Sequence, residues 1–217
     1  SVPPSLVREA ADYFDRAAVT RVYGSTEVPV TTVGVLEPAD TEHAAETDGR
    51  TAIADIQLVE GEVCVKGPQM FLGYLHSEDE DGAFNDNGYY RTGDMGQWVD
   101  EHYLVITGRS KDIIIRNGEN IAPKEVEDLL VQHPDIKQVA IIGVPDPDTG
   151  ERACAVIVPS GDRSPRLEEL GVFLSDLGIA RFKIPERLEL RDTLPTNDAG
   201  KVLKHRLKDM LVENQSP

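Results

Sequence analysis

Positive charge is scarce in this sequence. Against 39 Asp and Glu there are 22 Lys and Arg, a formal net charge of −17 at pH 7. Nucleic-acid phosphate and anionic membranes bind clustered Lys and Arg, so this balance argues against both as partners. An anionic substrate must instead meet cations placed singly. No apolar run approaches the roughly 18 residues of a membrane span, and no signal-peptide pattern opens the chain, so a cytoplasmic protein without a membrane span is expected. Only two cysteines are present, Cys64 and Cys154. Each alternates with Val or Ala in a strand-like run, the pattern of a small packed thiol rather than a disulfide or a nucleophile. His76, His102, His133 and His205 lack metal-ligand spacing. Without a Gly-x-Ser-x-Gly segment, hydrolase chemistry finds no support.

What is present is an ordinary globular composition: 217 residues, 40% hydrophobic and 28% charged, a length that suits two modest domains. The charge is unevenly spread. Residues 1–108 carry 6 basic and 20 acidic side chains, whereas 109–217 carry 16 and 19, so the break falls at Arg109. The acidic run Glu78-Asp79-Glu80-Asp81 reads as a solvated face.

Periodicity outlines both halves. Leu6, Ala10, Tyr13 and Phe14 recur at helical spacing, predicting an amphipathic helix over 4–17 behind Pro3-Pro4. Strand-like alternation over 30–36, 52–58 and 62–66 is punctuated by Asp48-Gly49, Glu60-Gly61 and Asn87-Gly88. Strands over 95–99 and 103–107 flank the turn Asp100-Glu101-His102, with Trp98 and Tyr103 as packing residues. Beyond Arg109 the pattern predicts a β-branched strand over 112–116, a helix over 123–133 with Pro at its first turn, and buried-type strands over 139–144 and 153–158. A helix over 165–177, an extended stretch over 182–190, a loop over 194–201 and a last helix through Leu203, Leu207 and Met210 complete it. The fold class is α+β, a β-rich subdomain followed by a small mixed domain.

Four motifs carry chemistry: Tyr23-Gly24-Ser25-Thr26-Glu27, Tyr90-Arg91-Thr92-Gly93-Asp94, Gly108-Arg109-Ser110-Lys111-Asp112 and Gly200-Lys201. An ammonium on a long stem, as at Lys201, can reach a transferring phosphoryl group, and Gly200 lets the backbone turn tightly before it. Glu27 is a hard oxygen donor, and magnesium on ATP phosphates takes one or two such carboxylates. Asp94 offers two oxygens, which match the two hydroxyls of a ribose. The guanidinium of Arg109 can bond ribose or phosphate oxygens. Taken singly, each has a bland alternative: a solvated lysine, a surface turn around Glu27, an Asx turn at Asp94.

In order and approximate spacing, the four motifs resemble those of the AMP-forming, adenylate-forming ligases, and the chain looks like the C-terminal portion of an acyl-CoA synthetase. The resemblance implies that 1–108 is the last part of the large AMP-binding domain, distorted-barrel-like, and that 109–217 is the small mobile C-terminal domain. It implies ATP, Mg2+ and CoA as cofactors and a small carboxylic acid as substrate. Lys201 would bind the carboxylate and α-phosphate oxygens, Thr26 the α-phosphate, Glu27 the magnesium, Asp94 the ribose, and Tyr23 would pack on adenine, with Gly24 permitting the turn. Lys111, with Asp112 beside it, would be the hinge; an ordinary linker is the alternative. Gly118 would let the pantetheine arm pass the backbone, against the alternative of a plain turn before Pro123.

The segment from Gly118 to Glu127 looks like the CoA ligases rather than peptide-synthetase adenylation domains, so CoA is the expected acceptor. A carrier-protein phosphopantetheine is the alternative within the class, and a non-catalytic nucleotide-binding fragment the alternative outside it. The family often has Thr where Asn197 stands. The Ser/Thr/Gly-rich phosphate loop of these ligases is missing, so the chain is expected to work as part of a longer polypeptide that supplies it and to be nearly inactive alone; a homo-oligomer is left open. A fatty, alicyclic or aromatic acid is the expected substrate class.

Overall fold

The computed structural model describes residues 2–14, 16–161, 163–198 and 200–213. The chain divides into two compact units, Ser1–Ser110 and Lys111–Pro217.

The first unit opens on α1 (Pro4–Tyr13), with extended Pro3 before it and proline in its first turn, where a missing N–H costs nothing. The helix stops short of residue 17, and Leu6, Tyr13 and Phe14 are at least half exposed while Val7 is buried. Helical spacing therefore located the element but not its buried side. The strands are β1 (Thr32–Val33), β2 (Arg50–Thr51), β3 (Asp55–Val59), β4 (Glu62–Lys66), β5 (Tyr90–Val99) and β6 (Tyr103–Arg109), with a short helix α2 (Thr41–Glu46) between β1 and β2. They form one sheet in the order β1-β2-β6-β5-β4-β3 with antiparallel pairing throughout. Edges remain at β1 and β3, so the sheet described here is open and not a closed barrel.

Expectation and structure differ most at β1 and β5. The strand expected over 30–36 shrinks to two residues, because Pro29 precedes Val30 at φ 50°, a turn conformation that a β-branched residue adopts only under constraint. In contrast, β5 starts at Tyr90 rather than Met95, so the whole Tyr90-to-Asp94 motif lies inside a strand. The core beneath the sheet gathers Val28, Ala54, Ile56, Val63, Val65, Tyr90, Leu104 and Ile106.

In the second unit β7 (Ile114–Arg116) and β8 (Glu119–Ile121) form a hairpin, followed by α3 (Pro123–Leu130), β9 (Ile136–Asp146), β10 (Gly150–Pro159), α4 (Leu167–Asp176), β11 (Arg187–Leu190) and α5 (Lys204–Glu213). The sheet runs β11-β10-β7-β8, with β9 also paired to β10. Side chains alternate across a strand, so β9 and β10 each feed two cores. Ile141, Ala153, Ala155 and Ile157 pack with Val126 and Leu130 of α3 and Leu170 and Leu174 of α4. Ala140, Ile142, Val144, Cys154, Val156 and Val158 pack with Leu207 and Leu211 of α5. Double burial explains the near-continuous apolar run of β10. On α5 the inward residues are Leu207 and Leu211, whereas Met210, expected on that face, is 40% exposed.

Both cysteines are free and buried. Burial pushes the Cys154 thiol up to about 12. Since the thiolate is the reactive species, native-state alkylation of Cys154 at pH 8 is expected to proceed at least about a hundredfold slower than in a denatured control, read by mass spectrometry. Equal rates would contradict its burial.

Candidate nucleotide site

Three of the sequence-identified residues meet in the first unit. Asp94 and Arg109 are direct cross-strand partners on β5 and β6. The Arg109 guanidinium donates from Nε to Asp94 Oδ1 at 3.2 Å. From the other side, the Tyr23 hydroxyl donates to Asp94 Oδ2 at 2.7 Å. Burial, with the Asp94 charge next in weight, pushes the Tyr23 phenol well above its ordinary value, which keeps it a neutral donor. Asp94 is 9% exposed, and each of its oxygens has spent one acceptor position on protein and retains another. A carboxylate so held at the sheet surface can accept from a diol without first being immobilised.

Tyr23 is itself anchored. Its amide donates to Thr32 Oγ1 at 2.7 Å, and the Thr32 hydroxyl donates to the carbonyl of Asp48. The Asp48 carboxylate in turn accepts from the Ile106 amide of β6 at 2.8 Å and lies 3.7 Å from buried Arg21. Gly24 follows, where an added Cβ would come within 2.7 Å of the Val30 nitrogen, so close backbone approach is what requires glycine there.

Glu27 sits in a turn closed by Ser25, whose amide donates to the Val28 carbonyl at 3.2 Å and whose hydroxyl accepts from the Val28 amide at 3.2 Å. Thr26 in this turn is exposed. The Tyr74 hydroxyl donates to Glu27 Oε1 at 3.1 Å and lies 3.2 Å from the Tyr90 hydroxyl. Partial burial works to raise the Glu27 carboxyl, but hydrogen bonds from its own amide, Ser25, Tyr74 and Tyr90 outweigh it, and the group lies below the ordinary carboxylate value. An ionised carboxylate with one oxygen tethered fits a single-carboxylate magnesium ligand that shares the ion with phosphates. Among the described residues no group of three or more His, Cys, Asp or Glu gathers as a metal cage.

Lys201 and Gly118 lie in the second unit. The Lys201 amide donates to Asn197 Oδ1 at 2.8 Å, and the Asn197 amide donates back to the Lys201 carbonyl at 2.9 Å. Gly200 in this turn has φ 76°, and Thr196 bridges to Val202. At the start of α5, Lys204 pairs with Glu127 of α3 at 2.6 Å, which fixes the end of the loop. Gly118 stands in the two-residue turn Asn117-Gly118 of the β7–β8 hairpin. Lys111 and Asp112 belong to the 3-10 turn Ser110–Asp112, within which the two units divide.

Residues 125–201 match the family model of the AMP-binding enzyme C-terminal domain. Over 96% of its length this chain is 37% identical to a medium-chain fatty-acid–CoA ligase of Escherichia coli K12. Over nearly its whole length the chain is similar to adenylate-forming ligases. A second relative is a 2,3-dihydroxybenzoate-AMP ligase of Bacillus subtilis, 39% identical over 70% of the chain. Among solved structures, ATP-bound MatB from Rhodopseudomonas palustris superimposes with TM-score 0.85 at 30% identity over 100% of the chain. The o-succinylbenzoate CoA synthetase of B. subtilis with its acyl-adenylate intermediate gives 0.85 at 28% over 96%. The chain spans 39% and 28% of the two sequence relatives and 45% and 44% of the two structures.

Several residues that hold the site carry no signal in the sequence. Tyr74 follows an unremarkable Leu-Gly pair, and Glu62 lies in a plain alternating strand, so neither has a local signal. In the sequence Asn197 stands out only as a departure from Thr, yet its side-chain oxygen closes the Lys201 turn, a bond that a Thr hydroxyl can also accept. Among the described residues no helix is long and apolar enough to cross a membrane.

Proposed function

We propose that this chain forms part of an acid–thiol ligase. A carboxylate oxygen attacks the α-phosphorus of ATP, the bond to pyrophosphate breaks, and acyl-AMP forms. The thiol of CoA, losing its proton, then attacks the acyl carbon, and AMP leaves with the electrons of the broken carbon–oxygen bond. Both first-step reactants are anions, so the main need is for cations where charge concentrates. Lys201 answers it at the carboxylate and α-phosphate, with Thr26 donating to the phosphate. Asp94 and Arg109 hold the ribose side, and Tyr23 lies along the base. Glu27 is the protein ligand for magnesium, which when bound offsets phosphate charge.

The observation that carries this reading is the Asp94 carboxylate, held between Tyr23 and Arg109 and still able to accept two hydroxyls. In this reading residues 1–108 bind the nucleotide, and 109–217 turn about 109–112, at Lys111 and Asp112, to present Lys201 for adenylation and Gly118 for thioester formation. A carrier-bound phosphopantetheine is the second reading of the acceptor, favoured by the 39% identity to an AMP ligase whose name specifies no CoA. The substrate is a fatty, alicyclic or aromatic acid.

The test is acid-dependent ATP–pyrophosphate exchange by the full-length polypeptide, followed by competition between CoA and holo-carrier protein for the acyl adenylate. Exchange with at least one such acid and preferential consumption by CoA are expected. Nucleotide binding with no exchange for any acid would replace the proposal with a binding module.

A further inference from the structure

We infer that Glu62 and Thr92 are positioning residues that aim Asp94 at the ribose diol, an inference that rests on the reading of Asp94 as the ribose ligand. The evidence is a bulge between β4 and β5. Glu62 pairs with Met95 and Cys64 with Arg91, so two steps along β4 answer four along β5. Thr92, Gly93 and Asp94 thus stand opposite the single residue Val63. A bulge removes backbone N–H groups from the ladder and re-aims the side chain it carries, and those groups need other acceptors.

Here the acceptors are side chains. The Gly93 amide donates to Glu62 Oε1 at 3.1 Å, and the Asp94 amide donates to Thr92 Oγ1 at 3.1 Å. The same Thr92 hydroxyl donates to the Val63 carbonyl at 2.8 Å, stitching the bulge to β4. The second Glu62 oxygen accepts from Arg91 Nε at 3.0 Å and Nη2 at 2.6 Å, which locks the carboxylate's rotation. Glu62 is 13% exposed at its side chain, against 50% for Arg91, so the buried partner faces the bulge and the exposed one braces it. Gly93 has φ 70°, a left-handed turn that brings Asp94 round onto the line between Tyr23 and Arg109. None of these contacts involves a nucleotide. They determine where Asp94 stands, and misplacement by about 1 Å suffices to lose a hydrogen bond to a bound ligand.

The experiment measures binding of ATP and of 2′-deoxy-ATP and 3′-deoxy-ATP to the full-length protein by calorimetry. In wild type the loss of a ribose hydroxyl is expected to weaken binding about ten- to a hundredfold, the scale of a hydrogen bond to a charged group. Asp94→Ala should bring that ratio near unity. Glu62→Ala and Thr92→Val should each reduce it to under about threefold, while Arg91→Ala leaves most of it, since the Gly93 bond survives. Glu62→Gln and Thr92→Ser retain the accepting oxygen and should retain the ratio, and they serve if the harsher variants do not fold. An undiminished ratio in Glu62→Ala and Thr92→Val, or an equal loss of affinity for all three nucleotides, overturns the inference. A wild-type ratio near unity, or one untouched in Asp94→Ala, overturns instead the underlying reading of Asp94.

Discussion

In the full-length protein, Lys201→Ala is expected to slow adenylation about 10²- to 10³-fold or more, while thioester formation from supplied acyl adenylate stays within about threefold. The magnitude is that of removing one preorganised charge partner from a transition state in which negative groups approach each other. The selectivity follows from the division of labour: once acyl-AMP exists, the second step joins a thiol to a neutral ester-like carbon and no longer needs the ammonium. The bonds that shape the turn run between the Lys201 backbone and Asn197, so the substitution leaves them in place. Lys201→Arg preserves charge but exchanges a compact ammonium for a planar fork, and a partial recovery, at least about tenfold below wild type, is expected. Pre-steady-state measurement of each half-reaction decides the matter, and equal loss of both steps would remove Lys201 from its assigned part.

Much of this was legible beforehand where a local rule operates. Pro123 at the first turn marked α3, and the apolar runs of β9 and β10 marked strands buried on both faces. The residues meeting at Asp94 were legible because they fall in motifs that resemble those of the adenylate-forming ligases. What escaped notice depends on tertiary partners. Helix α2 has six residues, too few for a period, and rests on Asp40, whose side chain accepts from the His43 amide at 3.2 Å. Strand β8 has three residues and exists because β7 pairs with it. Its cue was present in Asn117-Gly118, the dipeptide of a two-residue hairpin turn. Glu62 and Tyr74 act on residues 31 and 47 positions away, a distance at which one sequence has no signal.

That hairpin makes Gly118 the more informative probe of the second step. Its φ of 81° and that of Asn117, 51°, are both left-handed, as the turn demands, and any L side chain at Gly118 costs roughly 1–2 kcal/mol in strain. An added Cβ, however, meets no heavy atom within 4 Å. Bulk at this position therefore adds strain but no clash within the fold, and what it obstructs must come from outside. If a pantetheine arm passes here, Gly118→Leu should lower thioester formation at least about a hundredfold with adenylation within about threefold, the reverse of the Lys201 variant. Gly118→Ala separates the two effects, because it carries the same backbone strain with little bulk. A loss in Gly118→Ala below about fivefold, against a collapse in Gly118→Leu, would locate the defect in passage of the thiol; equal losses would assign it to the turn.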